Sequence, residues 1–286
     1  MSARAKLQKL LDDPGIIVAP GVYDAMTAKL VERAGFDAAF MSGFMVSAVK
    51  IGMPDTGLIS YAEMADQGRN MCTAVDIPLV GDGDTGYGNA LNVKRTVSGY
   101  AQAGFACVMI EDQQAPKRCG HTRGKQIVTR PEAVQRIAAA ADAKAEGADI
   151  LIMARTDANA TDGMDEAIQR CRDFRAAGAD ITFLEAPTTV DEMKRYCDEV
   201  EGPKMANMVE QGDTPFLAPA ELEAIGYKVA IWPASLMLAG ISAMERALAD
   251  LKAGAQKTEN LSTFPHLRDI VGFPEYYEDE KRYAPE

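Results

Sequence analysis

The chain has 286 residues, 47% of them hydrophobic and 25% charged, with 42 acidic against 30 basic side chains and a formal net charge of −12. This is the profile of a globular chain that buries a large core, and its acidic balance disfavours non-specific attraction to nucleic acid or to an anionic membrane. The longest apolar stretches, such as 229–238, fall far short of a membrane span, so no membrane partner is expected.

Taken in chain order, residues 1–11 are charged throughout and contain no apolar signal region. Short apolar runs then predict eight strands, over 16–19, 38–42, 78–81, 106–110, 150–154, 181–184, 204–207 and 229–232. Helical patterns fall between them, for example over 24–34, 90–103, 131–146 and 163–177. A recurring signal joins helix to strand: Ala34-Gly35-Phe36-Asp37, Ala103-Gly104-Phe105, Glu146-Gly147-Ala148-Asp149, Ala177-Gly178-Ala179-Asp180 and Ile225-Gly226-Tyr227. Glycine just past a helix supplies a left-handed cap, and the apolar run behind it is the next strand. Regular alternation leaves a doubly wound sheet or a closed barrel, and eight units in about 250 residues favour a (β/α)8 TIM barrel.

One domain over 1–286 is expected, with 252–286 as an extension beyond the completed barrel. The stretch 252–260 is polar, and an aromatic, acidic tail with Phe264-Pro265-His266-Leu267 and Phe273-Pro274-Glu275-Tyr276-Tyr277 follows. Apolar residues there need a surface to cover them, either the chain's own barrel or a neighbouring subunit. The five cysteines (Cys72, Cys107, Cys119, Cys171, Cys197) are odd in number, dispersed and without a CxxC pair, which predicts reduced thiols and a cytoplasmic location.

In a barrel, function belongs at the C-terminal strand ends, where polar residues concentrate. Strand three runs into Gly81-Asp82-Gly83-Asp84-Thr85-Gly86-Tyr87-Gly88-Asn89, strand four into Glu111-Asp112, and strand five ends in Arg155-Thr156-Asp157. Glu185 closes strand six and Asn207 strand seven. Gly81, Gly83 and Gly86 match a GxGxxG dinucleotide loop, but Asp82 and Asp84 would repel a pyrophosphate. An EF-hand fails because its sixth position is Tyr87 and its twelfth Val93. A hard divalent cation remains: Asp82 and Asp84, two apart, share a face if the segment is extended, and Glu111 closes the adjacent strand. All-oxygen ligation favours Mg²⁺, with Mn²⁺ as the other ion that fits.

Directly after strand four comes Lys117-Arg118-Cys119-Gly120-His121-Thr122-Arg123-Gly124-Lys125. Cations beside a thiol lower its pKa, which distinguishes Cys119 from the core-filling Cys72, Cys107 and Cys171. A basic loop facing an acidic cluster suits a small anionic substrate, a carboxylate or a phosphate, under a mobile cysteine-bearing lid.

At these residues the chain resembles the isocitrate lyase and phosphoenolpyruvate mutase superfamily. The matching pieces are Ser42-Gly43-Phe44, Asp55 in Gly52-Met53-Pro54-Asp55, the run from Gly81 to Asn89, Ile110-Glu111-Asp112-Gln113, Lys117 to His121, and the tail from Val271 to Tyr283. The resemblance implies a barrel whose last helix is swapped between subunits, in a homotetramer built as a dimer of dimers. It implies that Asp82 binds Mg²⁺ directly, and that Asp55, Asp84 and Glu111 hold the ion through water. It also implies that Cys119 is the general acid, that Gly120 and His121 bring the loop onto the substrate, and that Tyr23, Ser42, Gly43, Phe44, Arg155, Glu185, Asn207 and Pro233 bind substrate. For the base that removes a 2-hydroxyl proton, Tyr23 and a metal-linked carboxylate both qualify.

Within the superfamily, Cys119 points to carbon–carbon cleavage. Leu238 stands where methylisocitrate lyases carry an arginine for a third carboxylate. The Cys119-Gly120-His121-Thr122-Arg123 form and the tail look more like the 2,3-dimethylmalate lyase and petal-death group. Phe44, Trp232, Pro233 and Leu236 offer an apolar patch for alkyl groups. The expected activity is Mg²⁺-dependent cleavage of a 2-alkylmalate-like dicarboxylate to a 2-oxo acid and a carboxylate. The alternatives are methylisocitrate cleavage, oxaloacetate hydrolysis or decarboxylation, phosphonomutase chemistry, and a barrel that only binds a metabolite.

Overall fold

The computed structural model describes residues 1–118, 124–255 and 257–284. In chain order the elements are α1 (Ala3–Asp12), β1 (Ile17–Val22), α2 (Ala25–Arg33), β2 (Ala39–Met41), α3 (Gly43–Lys50), α4 (Tyr61–Ala74), β3 (Leu79–Asp82), α5 (Ala90–Ala103), β4 (Cys107–Glu111), α6 (Arg130–Ala145), β5 (Leu151–Thr156), α7 (Met164–Ala176), β6 (Ile181–Leu184), α8 (Val190–Glu199), β7 (Lys204–Asn207), α9 (Pro219–Ile225), β8 (Val229–Trp232), α10 (Ser235–Lys252), α11 (Phe264–Ile270) and α12 (Phe273–Arg282). The eight strands pair in parallel in sequence order, and β1 closes on β8 with Ile17 opposite Val229 and Pro20 opposite Trp232. The fold is a (β/α)8 TIM barrel.

Alternation along each strand divides its side chains between two cores. One cluster draws on all eight strands, through Ala19, Phe40, Val80, Met109, Met153, Phe183, Met205 and Ile231 among others, and fills the barrel interior. Leu7 of α1 belongs to the same cluster, so the amphipathic first helix stoppers this core. Outward residues such as Met41, Leu79, Val108, Ile110 and Ile152 pack with residues of α2, α4, α5 and α6. The glycine caps behave as the sequence indicates: Gly104 and Gly226 end α5 and α9 at φ 101° and 114°. Gly21 serves a different need, because a Cβ there would stand 2.2 Å from the Pro233 carbonyl oxygen, at the seam between β1 and the turn after β8.

The chain comprises two compact units, Met1–Leu236 and Met237–Glu286. The boundary therefore falls inside α10, ahead of residue 252 where the polar composition places it. In the second unit, the Arg268 guanidinium donates to the Tyr277 hydroxyl (2.8 Å) and lies over the Phe273 ring at 5.1 Å. Leu238, Ile241, Met244, Leu248 and Leu251 recur at three- and four-residue spacing along α10 and are all exposed. Among the described residues no helix is long and apolar enough to cross a membrane.

Candidate functional site

Each strand end delivers its side chain to the same mouth of the barrel. Tyr23 follows β1, Ser42 follows β2, Asp82 ends β3, Glu111 ends β4, Arg155 lies near the end of β5, Glu185 follows β6, Asn207 ends β7 and Pro233 follows β8. Asp55 comes from the loop between α3 and α4 and Lys117 from the segment after β4. Cys119, Gly120 and His121 lie outside the described residues.

The first half of the mouth is acidic. Asp82 Oδ2 accepts from the Gly43 N–H at 3.1 Å, at the start of α3, and its Oδ1 accepts from the Asp84 N–H at 3.0 Å. The N-terminus of α3 thus holds the carboxylate of Asp82, and a Cβ on Gly43 would stand 2.5 Å from that oxygen. The expectation that Asp82 and Asp84 share the face of an extended strand is corrected. β3 stops at Asp82, and Asp84 turns back with φ 49° once its N–H is drawn to the Asp82 side chain. The turn still brings the two carboxylates together, with Tyr100 donating its hydroxyl to the Asp82 carbonyl (2.7 Å) and fixing the strand end from below.

Lys117 stands among these acids. Its ammonium lies 2.6 Å from Asp55 Oδ2 and 2.8 Å from Asp84 Oδ1, with all three side chains almost wholly buried. Burial alone would lower its pKa, but Asp84, Asp82, Asp55 and Glu111 outweigh that and push it well up. Asp84, Asp55 and Glu111 shift upward as well. Burial raises Asp84 to about 6 against the opposing pull of Lys117, raises Asp55, and raises Glu111 well above the carboxylate range despite Arg155 and Lys117.

Among the described residues, no three His, Cys, Asp or Glu side chains converge as a ready-made metal-binding group. The fit of a hard cation rests instead on oxygens left over. Asp55 Oδ1 and Glu111 Oε1 are buried without a hydrogen-bond partner, and Asp84 Oδ1 meets the ammonium in an ion pair without hydrogen-bond geometry. Buried anionic oxygens without donors are costly, and a divalent ion with its water shell supplies what they lack. The donor set is oxygen throughout, so the residues present fit Mg²⁺ or Mn²⁺.

The second half of the mouth is centred on a cation and mostly bonded within itself, with Asn207 Oδ1 buried without a partner. Arg155 Nη1 lies 3.4 Å from Glu111 Oε2 and Nη2 lies 3.5 Å from Glu185 Oε1, while the guanidinium rests over the Phe183 ring at 5.2 Å. Asn207 Nδ2 reaches both Glu185 oxygens at 3.3 and 3.4 Å. Beyond β5, Asp157 accepts from Arg155 Nε (2.9 Å) and Nη2 (3.0 Å), and Lys125 Nζ lies 3.0 Å from it.

Of the residues expected from sequence, Asp55, Asp82, Asp84, Glu111, Arg155, Glu185 and Asn207 thus meet at one mouth. Ser42 caps α3 without a side-chain bond to it. Tyr23 is half-buried, with burial and then Asp24 raising its pKa. Phe44 remains exposed, and Pro233 is met by Gly21. Lys117 was legible only as part of a basic loop, and Asp157 only as a neighbour of Arg155 in the motif Arg155-Thr156-Asp157. Gln113 is legible only as part of the motif Ile110-Glu111-Asp112-Gln113, with no role attached. It is buried, and its amide binds the Arg118 backbone from both sides, donating to the carbonyl and accepting from the N–H at 2.8 Å each.

Comparison with known proteins agrees with this geometry. The family described as Phosphoenolpyruvate phosphomutase matches residues 7–252. The chain is 44% identical over 289 residues to the 2,3-dimethylmalate lyase of Eubacterium barkeri, covering 99% of each chain. Among solved structures, an oxaloacetate acetylhydrolase in complex with the inhibitor 3,3-difluorooxalacetate superposes with a TM-score of 0.96 at 32% identity, over 100% of this chain and 98% of the other. A 2,3-dimethylmalate lyase, described as a PEP mutase/isocitrate lyase superfamily member, gives 0.94 at 35% identity, over 99% and 96%.

Proposed function

Because the chain belongs to the phosphoenolpyruvate phosphomutase family, and is a carbon–carbon lyase of the isocitrate lyase/PEP mutase superfamily, we propose that it cleaves a 2-alkylmalate-like dicarboxylate such as 2,3-dimethylmalate in a Mg²⁺-dependent reaction. The observation that carries this reading is the division of one mouth into a cation-receiving half, with unpartnered carboxylate oxygens on Asp55 and Glu111, and an anion-receiving half centred on Arg155. A substrate with a 2-hydroxy acid at one end and a second carboxylate at the other spans two such halves.

In this reading Asp82 would hold the ion directly and Asp55, Asp84 and Glu111 would hold it through water, with Mn²⁺ able to substitute. Bound there, the ion would supply Lewis acidity toward the 2-oxygen and its carboxylate. The reaction removes the 2-hydroxyl proton, breaks the C2–C3 bond and leaves that electron pair on C3, where a proton replaces it. For 2,3-dimethylmalate the products are pyruvate and propionate. Arg155 and Asn207 bind and orient carboxylate oxygens. Glu185 fixes the Asn207 amide and one edge of Arg155. Cys119 delivers the proton to C3, with Gly120 and His121 closing over the substrate beside it. Tyr23 donates a hydrogen bond at the 2-oxygen or takes its proton. Ser42, Gly43 and Phe44 line the hydroxy-acid end, and Phe44 with Pro233 receives alkyl groups; Trp232, which packs with the outer cluster and edge-on to Phe216, is not part of this patch.

The exposed apolar stripe of α10 supports assembly with further copies of the chain, which we place in a cytoplasmic homotetramer with its C-terminal helices exchanged. The deciding experiment offers 2,3-dimethylmalate, methylisocitrate, oxaloacetate and phosphonopyruvate with Mg²⁺ or with excess chelator, and identifies the products. Pyruvate from the alkylmalate, lost on chelation, supports the reading. Oxalate from oxaloacetate alone, or turnover of phosphonopyruvate alone, replaces it.

A further inference from the structure

Arg155 is the one described cation between the two halves of the mouth that contacts acids of both, Glu111 on one side and Glu185 on the other. A guanidinium in that position could rotate toward either acid. Three contacts stop it. The Phe183 ring lies under its face at 5.2 Å. Asp157 takes its Nε and Nη2 edge in a two-point pair at 2.9 and 3.0 Å. That pairing leaves Nη1 as the nitrogen with no hydrogen bond to Asp157, directed toward Glu111.

Asp157 is itself fixed from behind. Its backbone N–H donates to Asp112 Oδ1 (2.9 Å), whose Oδ2 accepts from the Thr156 hydroxyl (2.6 Å) and pairs with Arg170 (2.9 Å). Asp157 and Asp112 are both essentially without solvent exposure. A carboxylate held this way costs desolvation energy wherever it is placed, so its position signals a geometric task.

We infer that Asp157, which no sequence argument assigns a role, is a positioning residue that locks Arg155 by its Nε–Nη2 edge and so presents Nη1 to an anionic oxygen of the substrate. The inference rests on the reading of Arg155 as the substrate's anion receiver. The carboxylate is wholly buried, so its assigned part is to hold Arg155 and not to make or break bonds. Its second partner, Lys125, shares Oδ1 and neutralises the charge that Arg155 alone does not balance.

A double-mutant cycle between Asp157→Asn and Arg155→Lys tests it, because lysine cannot accept a two-point lock. The readouts are kcat and KM for the alkylmalate and, separately, calorimetric affinity for oxalate in the presence of Mg²⁺. Asp157→Asn should lower kcat/KM by about 100-fold, and the loss should fall on the same kinetic parameter as that of Arg155→Lys. In the Arg155→Lys background the second substitution should then change little, within about threefold. Losses that multiply, or that fall on different parameters, overturn the inference.

If Asp157→Asn does not fold, the wild-type protein still answers. The Arg155 Nε–H proton, assigned by its absence in Arg155→Lys, should exchange slowly with solvent, and rapid exchange in the folded protein overturns the lock. If no alkylmalate is cleaved, the proposed activity fails, while oxalate affinity and proton exchange continue to report on Asp157.

Discussion

The two halves of the barrel mouth are built on opposite plans. Around the ends of β2 to β4, acids crowd around one lysine, and Asp55, Asp84 and Glu111 carry raised pKa values and keep buried oxygens without hydrogen-bond donors. At the ends of β5 to β7, Arg155, Asp157, Glu185 and Asn207 engage one another before any ligand arrives. The first half is electrostatically incomplete, which the proposed cation would remedy. The second is largely bonded within itself, apart from the Asn207 Oδ1 that is buried without a donor, so that in the proposed reading an arriving anion finds an oriented partner and little reorganisation is needed. A lyase needs both, since one end of its substrate must be polarised and the other held still.

The contrast can be broken most severely from the acidic side. Asp82→Ala removes the oxygen pair that joins α3 to the strand-three turn, and turnover should fall by about 1000-fold or more. Loss of Mg²⁺ binding by calorimetry should accompany it; full activity in excess chelator would refute the metal reading altogether. Cys119→Ser should lower turnover by about 100-fold or more while leaving Mg²⁺ affinity close to that of the wild type. A solvent-isotope measurement on the product carbon would show whether proton delivery is the step affected.

Tyr100→Phe separates support from ligation. It removes only the hydroxyl that binds the Asp82 carbonyl, and should weaken Mg²⁺ affinity by about tenfold and stability by about 1 kcal/mol, read by titration and by denaturant unfolding. The smallest effect belongs to the second half. Burial pushes the Asp157 carboxyl up, but Arg155 and Lys125 overcome it and leave its pKa below the ordinary value. A lowered folded-state pKa stabilises the protein above the unfolded value of about 3.9, and that contribution is lost as pH falls through the folded value. The stability gap between wild type and Asp157→Asn should therefore be constant near neutrality and narrow below about pH 4, measured by urea unfolding across pH.

Most of the barrel is legible in the sequence because its signals are local. The runs over 181–184, 204–207 and 229–232 form strands with those same bounds, and the other five differ by one to three residues at an end. Each is a short apolar run between a glycine cap and a polar loop, which the neighbouring residues alone decide. The helix α3 is not among the expected elements: Ser42, Gly43 and Phe44 enter only as substrate-binding residues implied by the resemblance, whereas Ser42 caps a helix whose first N–H, that of Gly43, is taken by Asp82. The composition of the site was legible for a similar reason: carboxylates at strand ends must serve something. What remained hidden depends on contacts far apart in the chain. Lys117 sits 62 residues from Asp55, and no periodicity reports that pairing. The turn at Asp84 follows from a side chain drawing its own backbone out of line, which overrides the extended geometry that spacing alone suggests.

The seam where β1 meets β8 has a consequence for how the molecule comes into being. Ile17 hydrogen-bonds a neighbour that is synthesised more than two hundred residues later, and Gly21 must accept the carbonyl of Pro233 at a separation no other side chain permits. Until that late segment leaves the ribosome, the nascent sheet has two raw edges, each able to recruit a stranger. Biogenesis therefore carries its greatest hazard just before completion, and a defect at Gly21 would surface as insoluble or degraded polypeptide long before it could register as impaired chemistry.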